Sequence, residues 1–143
     1  MKKSITFIIA AVIMITSVNA FAATFSNPLK DVKTSKIVQT YLEASTTGNT
    51  KFNRYLFTSD FEFTNCATQK TFSKSEYLKF LTLTKNLQLN CTTSYQILDE
   101  SGHACVAKAT MTFDHFSRVD YITLTQSEQG WKISKIVSTY PER

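Results

Sequence analysis

Two side chains in the last third of the chain could exchange a proton. Met111 and Phe113 share strand parity with His115, and Ile122 and Leu124 share it with Asp120. A plain hairpin between these runs sets residue 113 opposite 122 and residue 115 opposite 120. His115 and Asp120 then become cross-strand neighbours at the mouth of an apolar face. A carboxylate in that position fixes the imidazole tautomer and raises its pKa, as a general acid/base pair requires. The same two residues could instead form an ion pair that closes a loop, and a bulge in the connection would break the parity.

A second set carries binding rather than proton transfer. The chain holds 11 Phe, 6 Tyr and 1 Trp. Of these, Tyr41, Phe63, Tyr77, Tyr95, Phe113 and Trp131 are the rings that could line a cavity for a flat ligand. Large rings also fill cores, so the alternative is that they plug the cavity they surround.

Other chemistries find no support. There is no GxSxG elbow, no Gly-rich phosphate loop and no HExxH or CxxC spacing, and His103 and His115 are the only histidines. Neither a metal nor an organic cofactor is expected. Cys66, Cys91 and Cys105 are an odd number of thiols, which cannot form a disulfide framework, and they read as small apolar residues.

The basic surplus, 16 Lys+Arg against 11 Asp+Glu, belongs partly to the N-terminus. Lys2 and Lys3 precede the apolar run Ile5 to Ile15, and Ala20-Phe21-Ala22 is a small-x-small cleavage site. The pattern reads as an export signal over 1–22 cut after Ala22, with residues 23–143 expected as one domain in the periplasm or outside the cell; the alternative is a retained N-terminal anchor. No Cys follows the cleavage site, so no lipid or membrane anchor is expected after processing. Without the signal, 14 basic residues face 11 acids and are scattered. That is not the footprint of a nucleic-acid partner.

The elements that must position these residues follow from pattern. Asn27-Pro28 reads as an N-cap and first helical residue, opening an apolar-periodic helix that Gly48 ends. A short helix follows over Lys51 to Phe57. Asp60 to Thr64 alternates as a half-buried strand, and Thr68 to Phe72 returns beside it. Ser73-Lys74-Ser75-Glu76 is a capping box, with Phe72 and Tyr77 as a hydrophobic staple. Its helix should run to about Lys85 and bury Tyr77, Leu78, Phe80 and Leu81, with Leu87 beyond it. Four strands then form an antiparallel meander: Cys91 to Asp99, His103 to Phe113, Val119 to Gln126 and Trp131 to Tyr140. Trp131 and Ile133 share one parity and Ile136 takes the other, which calls for a bulge or two-sided burial. The order α-α-β-β-α-β-β-β-β describes an α+β domain with helices on one face of a curved, mostly antiparallel six-stranded sheet.

These stretches resemble the NTF2-like superfamily. More narrowly, they resemble the small exported SnoaL-like or "putative lumazine-binding" proteins of Bacteroidota. The resemblance is carried by Ile37 to Gly48 (IVQTYLEASTTG), Phe57 to Phe63 (FTSDFEF), Ser73 to Leu81 (SKSEYLKFL), Met111 to Phe113, Val119 to Leu124 (VDYITL) and Gly130 to Tyr140 (GWKISKIVSTY). It implies a cone with a pocket between sheet and helices, and frequent homodimerisation through the outer sheet face. The superfamily hosts isomerases, cyclases, dehydratases, transport adaptors and non-catalytic binders, so fold alone does not select an activity. The expectation is an exported protein that binds a small hydrophobic or aromatic ligand in its cone, without a demonstrable catalytic set. The alternatives are a cofactor-free isomerase or cyclase using His115 and Asp120, and an interaction module using the open sheet face.

Overall fold

The computed structural model describes residues 26–142. The proposed export signal, 1–22, lies outside the described residues. The elements are α1 (Thr34–Thr47), α2 (Asn53–Leu56), β1 (Phe57–Asn65), β2 (Lys70–Ser73), α3 (Lys74–Leu83), β3 (Thr92–Ser101), β4 (Ala104–Thr112), β5 (Ser117–Ser127) and β6 (Gly130–Thr139). Their order is the one the sequence pattern predicts. They form an α+β fold in which the helices pack on one six-stranded sheet of order β2-β1-β6-β5-β4-β3. Only β1 and β6 run parallel; the other neighbours are antiparallel.

The first helix starts later than Asn27-Pro28 suggests. The Asn27 side chain accepts from the Leu29 amide at 2.9 Å and its carbonyl from the Lys30 amide at 3.1 Å. It therefore closes a turn, and α1 begins at Thr34 with no side-chain cap. Asn signals a turn as readily as an N-cap, because the same side-chain acceptor serves both. The other end is as expected: Gly48 takes the left-handed conformation, φ 65°, and closes α1. Its carbonyl accepts from the Asn86 amide, tying the end of α1 to the chain just after α3.

Helix α3 carries the full capping box. The Ser73 hydroxyl accepts from the Glu76 amide, and the Glu76 carboxylate accepts from the Ser73 amide at 2.7 Å. Tyr77 and Leu81, one turn apart, are its buried residues. Phe80 (51% exposed) and Leu87 (53%) correct the expected core, because the face that packs on β1 runs through 77 and 81 and leaves residue 80 on the helix flank.

The inner wall of the sheet is apolar. Ala107, Ala109 and Met111 on β4, Ile122 and Leu124 on β5, and Ile133 and Ile136 on β6 are all fully buried. Burying each larger aliphatic side chain contributes roughly 1.5–3 kcal/mol. The parity conflict on β6 is resolved by a bulge: Leu124 pairs with Ile133 while Thr123 pairs with Lys135, so Ser134 is the extra residue. Trp131, Ile133, Ile136 and Ser138 are consequently all buried.

Candidate functional site

Asp120 sits on β5 with Ala109 of β4 on one side and Ser138 of β6 on the other, and it is fully buried. Arg118, two residues earlier on the same strand, shares its face. The guanidinium folds back along the strand: Nε donates to Asp120 Oδ1 at 2.9 Å and Nη2 donates to Oδ2 at 2.8 Å. Nε also donates to Ser138 Oγ at 2.9 Å, and Nη2 to the Tyr41 hydroxyl at 3.2 Å.

Two helices close over this pair. Tyr41 of α1 donates its hydroxyl proton to Asp120 Oδ2 at 2.5 Å. The Tyr77 hydroxyl of α3 lies 3.3 Å from that of Tyr41. Since the Tyr41 proton is engaged by Asp120, Tyr77 is the donor between the two phenols. Burial, and then the Asp120 charge, push the Tyr41 phenol well above its ordinary pKa. Burial likewise raises that of Tyr77. Burial opposes the charge on Arg118, but the Asp120 carboxylate bonded to it outweighs burial and holds the guanidinium ionised. The result is a buried set of one cation, one anion and two neutral phenols.

A cavity of about 420 Å³ opens against this set. Its walls are aromatic: Phe63, Phe72, Tyr77, Phe80 and Tyr140, with Leu83 beside them. Phe63 stacks on Tyr77 with ring centroids 4.6 Å apart and also meets Phe72, so the staple residues meet through a third ring. Arg118 lines the cavity with its guanidinium 5.5 Å from the Phe63 ring centre. It is the part of the charged pair that reaches solvent, with 15% of its side chain exposed against 0% for Asp120. Its Nε and Nη2 are committed, while Nη1 has no hydrogen-bond partner among the described residues.

The expected acid/base pair is not assembled. The β4–β5 hairpin closes at Thr112 and Ser117, and residues 113–116 form the connection. His115 is exposed in that connection, while Asp120 pairs with Ala109. The Phe113 amide donates to the Phe116 carbonyl across the same loop. The actual register differs from the plain hairpin by an even number of residues. Asp120 therefore keeps the inward face, and only its supposed partner is lost.

The six rings separate into groups. Phe63 and Tyr77 line the cavity, and Tyr41 lies beneath it in the hydrogen-bond set. Trp131 is buried elsewhere, beside a groove that also includes Val32 and Ile97. Tyr95 is half-buried on a separate surface groove, where its hydroxyl accepts from Gln39. Phe113 stacks on Phe116 in the β4–β5 connection. Phe57 and Phe61 occupy the core with Tyr77. Rings thus fill part of the interior and line the rest. Arg118, Phe72, Phe80 and Tyr140 are site residues that the sequence reading missed. For Arg118 the available signal was its spacing of two from Asp120, hidden by assigning Asp114 to Arg118 to a loop.

Cys66 is exposed, Cys91 half-buried and Cys105 buried, all as free thiols. The small-apolar reading suits Cys105, whose thiol is pushed up by burial, but not Cys66.

Residues 30–138 match the family model described as "Putative lumazine-binding". The chain belongs to this family. Solved structures share its fold at low identity. An NTF2-like protein of unknown function from Silicibacter pomeroyi is 14% identical with a TM-score of 0.63, covering 75% of this chain and 92% of that one. An NTF2-like protein from Cytophaga hutchinsonii is 15% identical with a TM-score of 0.60, covering 75% and 94%. A structure described as a putative ketosteroid isomerase, from Shewanella frigidimarina, is 17% identical with a TM-score of 0.61, covering 76% and 96%. No curated protein matches the sequence. At these identities the likeness establishes the NTF2-like fold of this lumazine-binding-like family member and no activity.

Proposed function

We propose that this protein binds a small, flat ligand in the aromatic cavity, with the ligand's polar edge toward Arg118 Nη1. One observation carries the reading: a cavity of about 420 Å³ is walled by five aromatic rings and lined by Arg118, whose side chain is 15% exposed and whose Nη1 has no hydrogen-bond partner among the described residues. Apolar walls supply affinity and a few placed polar groups supply orientation. The family description agrees, since it concerns binding of a pteridine-type ring. The N-terminal pattern of Lys2, Lys3, Ile5 to Ile15 and Ala20-Phe21-Ala22 supports action outside the cytoplasm. The exposed side chains of Val106 and Tyr121 on the outer face of β4 and β5 favour pairing of two copies there.

Native mass spectrometry of the protein purified from its own source tests ligand and copy number together. A bound small molecule is expected, and it should be lost in a Phe80→Asp variant. Residue 80 is half exposed, so the charge disturbs the cavity and not the fold. A ligand-free protein that also fails to retain any added flat aromatic compound would sink the reading.

A further inference from the structure

We infer that Asp120 is a specificity-determining residue: by neutralising Arg118 it makes the cavity accept an uncharged acceptor, such as a ring carbonyl or carboxamide, over a carboxylate or phosphate. The inference rests on the ligand-binding reading above and names the charge class of the ligand.

An arginine in an aromatic cavity would ordinarily be a carboxylate receptor, through its two-pronged fork. Here the fork is already occupied. Nε and Nη2 grip the two Asp120 oxygens at 2.9 and 2.8 Å, and only Nη1 is left for a ligand. The charges also cancel. Tyr41 and Tyr77 are held in their neutral phenol forms, so Arg118 and Asp120 sum to zero. Glu76 and Lys79, also on the cavity wall, are exposed and of opposite sign, so they leave that balance unchanged. A carboxylate on Nη1 would add a second negative charge beside Asp120, where Arg118 is already paired and the exposed Lys79 is balanced by Glu76, so its loss of water is not offset. A carbonyl oxygen takes the same N–H groups and adds no charge.

A pair of probes matched in shape separates these cases: 2-naphthamide and 2-naphthoate, titrated into the full chain by calorimetry at neutral pH. The wild type should bind the amide at least about tenfold more tightly. Asp120→Asn, nearly isosteric, leaves Arg118 uncompensated and should reverse the order; naphthoate should then also raise its Tm more than it raises that of the wild type. Equal or reversed preference in the wild type overturns the inference and leaves the cavity reading standing. So does an Asp120→Asn variant that still prefers the amide. The wild-type comparison decides the matter even if that variant does not fold. If neither probe binds the wild type, the cavity reading falls and this inference falls with it.

Discussion

Tyr41 and Asp120 lie 79 positions apart in the chain, yet the phenol of one donates to the carboxylate of the other at 2.5 Å inside the cone. This contact joins α1 to β5 at the point where the cavity meets the core. Replacing Tyr41 with Phe removes that donor and also the acceptor used by Arg118 Nη2 and Tyr77. Asp120 Oδ2 keeps its bond from Arg118, so no buried charge is orphaned. The buried Tyr77 hydroxyl does lose its partner, so the loss should be about 1.5–3 kcal/mol. Urea denaturation measures it.

The Arg118–Asp120 pair should behave asymmetrically. Asp120→Ala leaves a largely buried guanidinium without its counter-charge, which costs about 3–5 kcal/mol. Changing both, as Arg118→Met with Asp120→Leu, removes the desolvation problem together with the attraction. The double variant should be more stable than Asp120→Ala alone. A double variant that loses stability equal to both single changes added would contradict the coupling that the geometry implies.

Alkaline titration should separate the tyrosines. Two of the six, Tyr41 and Tyr77, have folded-state pKa values raised by burial. The folded state then holds protons that the unfolded chain releases near pH 10. Their contribution to stability is fully present below about pH 10 and is lost as the pH rises toward their folded values. Phenolate absorbance should show the Tyr41 and Tyr77 steps arriving only with unfolding. Tyr41→Phe should reduce the alkaline loss of stability.

The acid side has a different origin. Glu76 is held below its ordinary pKa by the Ser73 amide and hydroxyl. A depressed carboxylate stabilises above its unfolded pKa, about 4.3, and the gain disappears as the pH falls through the folded value. Glu76→Gln should flatten the acid limb of a stability-versus-pH curve and leave the limb above pH 6 parallel to the wild type.

Much of this fold was legible because its signals are local. The capping box needs only Ser73 and Glu76 three apart, and the β6 bulge was visible as a parity conflict between Ile133 and Ile136. The candidate site was less legible because it depends on where a hairpin closes. Moving the β4–β5 turn to residues 113–116 left Asp120 inward but exposed His115, and it put Arg118 on a strand. Phe80 looked like core because aromatic rings usually are, but which flank of α3 meets β1 is a tertiary fact. Tyr41 to Asp120 is longer in range still, and no spacing rule reaches across 79 residues.

Two glycines with similar positive φ should give unequal results when changed to alanine. Gly48 has φ 65° and Gly102 has φ 57°, so both variants carry the left-handed strain of about 1 kcal/mol. At Gly102 a Cβ meets nothing within 4 Å, and that strain is the whole effect. At Gly48 the Cβ would stand 2.4 Å from the Asn86 amide nitrogen and 2.5 Å from the Thr84 carbonyl oxygen. Both are backbone atoms, so relief requires moving the chain after α3 away from the end of α1. That motion breaks the bond from the Asn86 amide to the Gly48 carbonyl and shifts the helix that carries Tyr77 and Phe80 into the cavity wall. Gly48→Ala should therefore lose at least about twice the stability of Gly102→Ala, read by urea denaturation, and should weaken 2-naphthamide binding, whereas Gly102→Ala should leave binding unchanged. Equal losses at the two sites would mean that the α1–α3 junction yields freely and does not set the position of the wall.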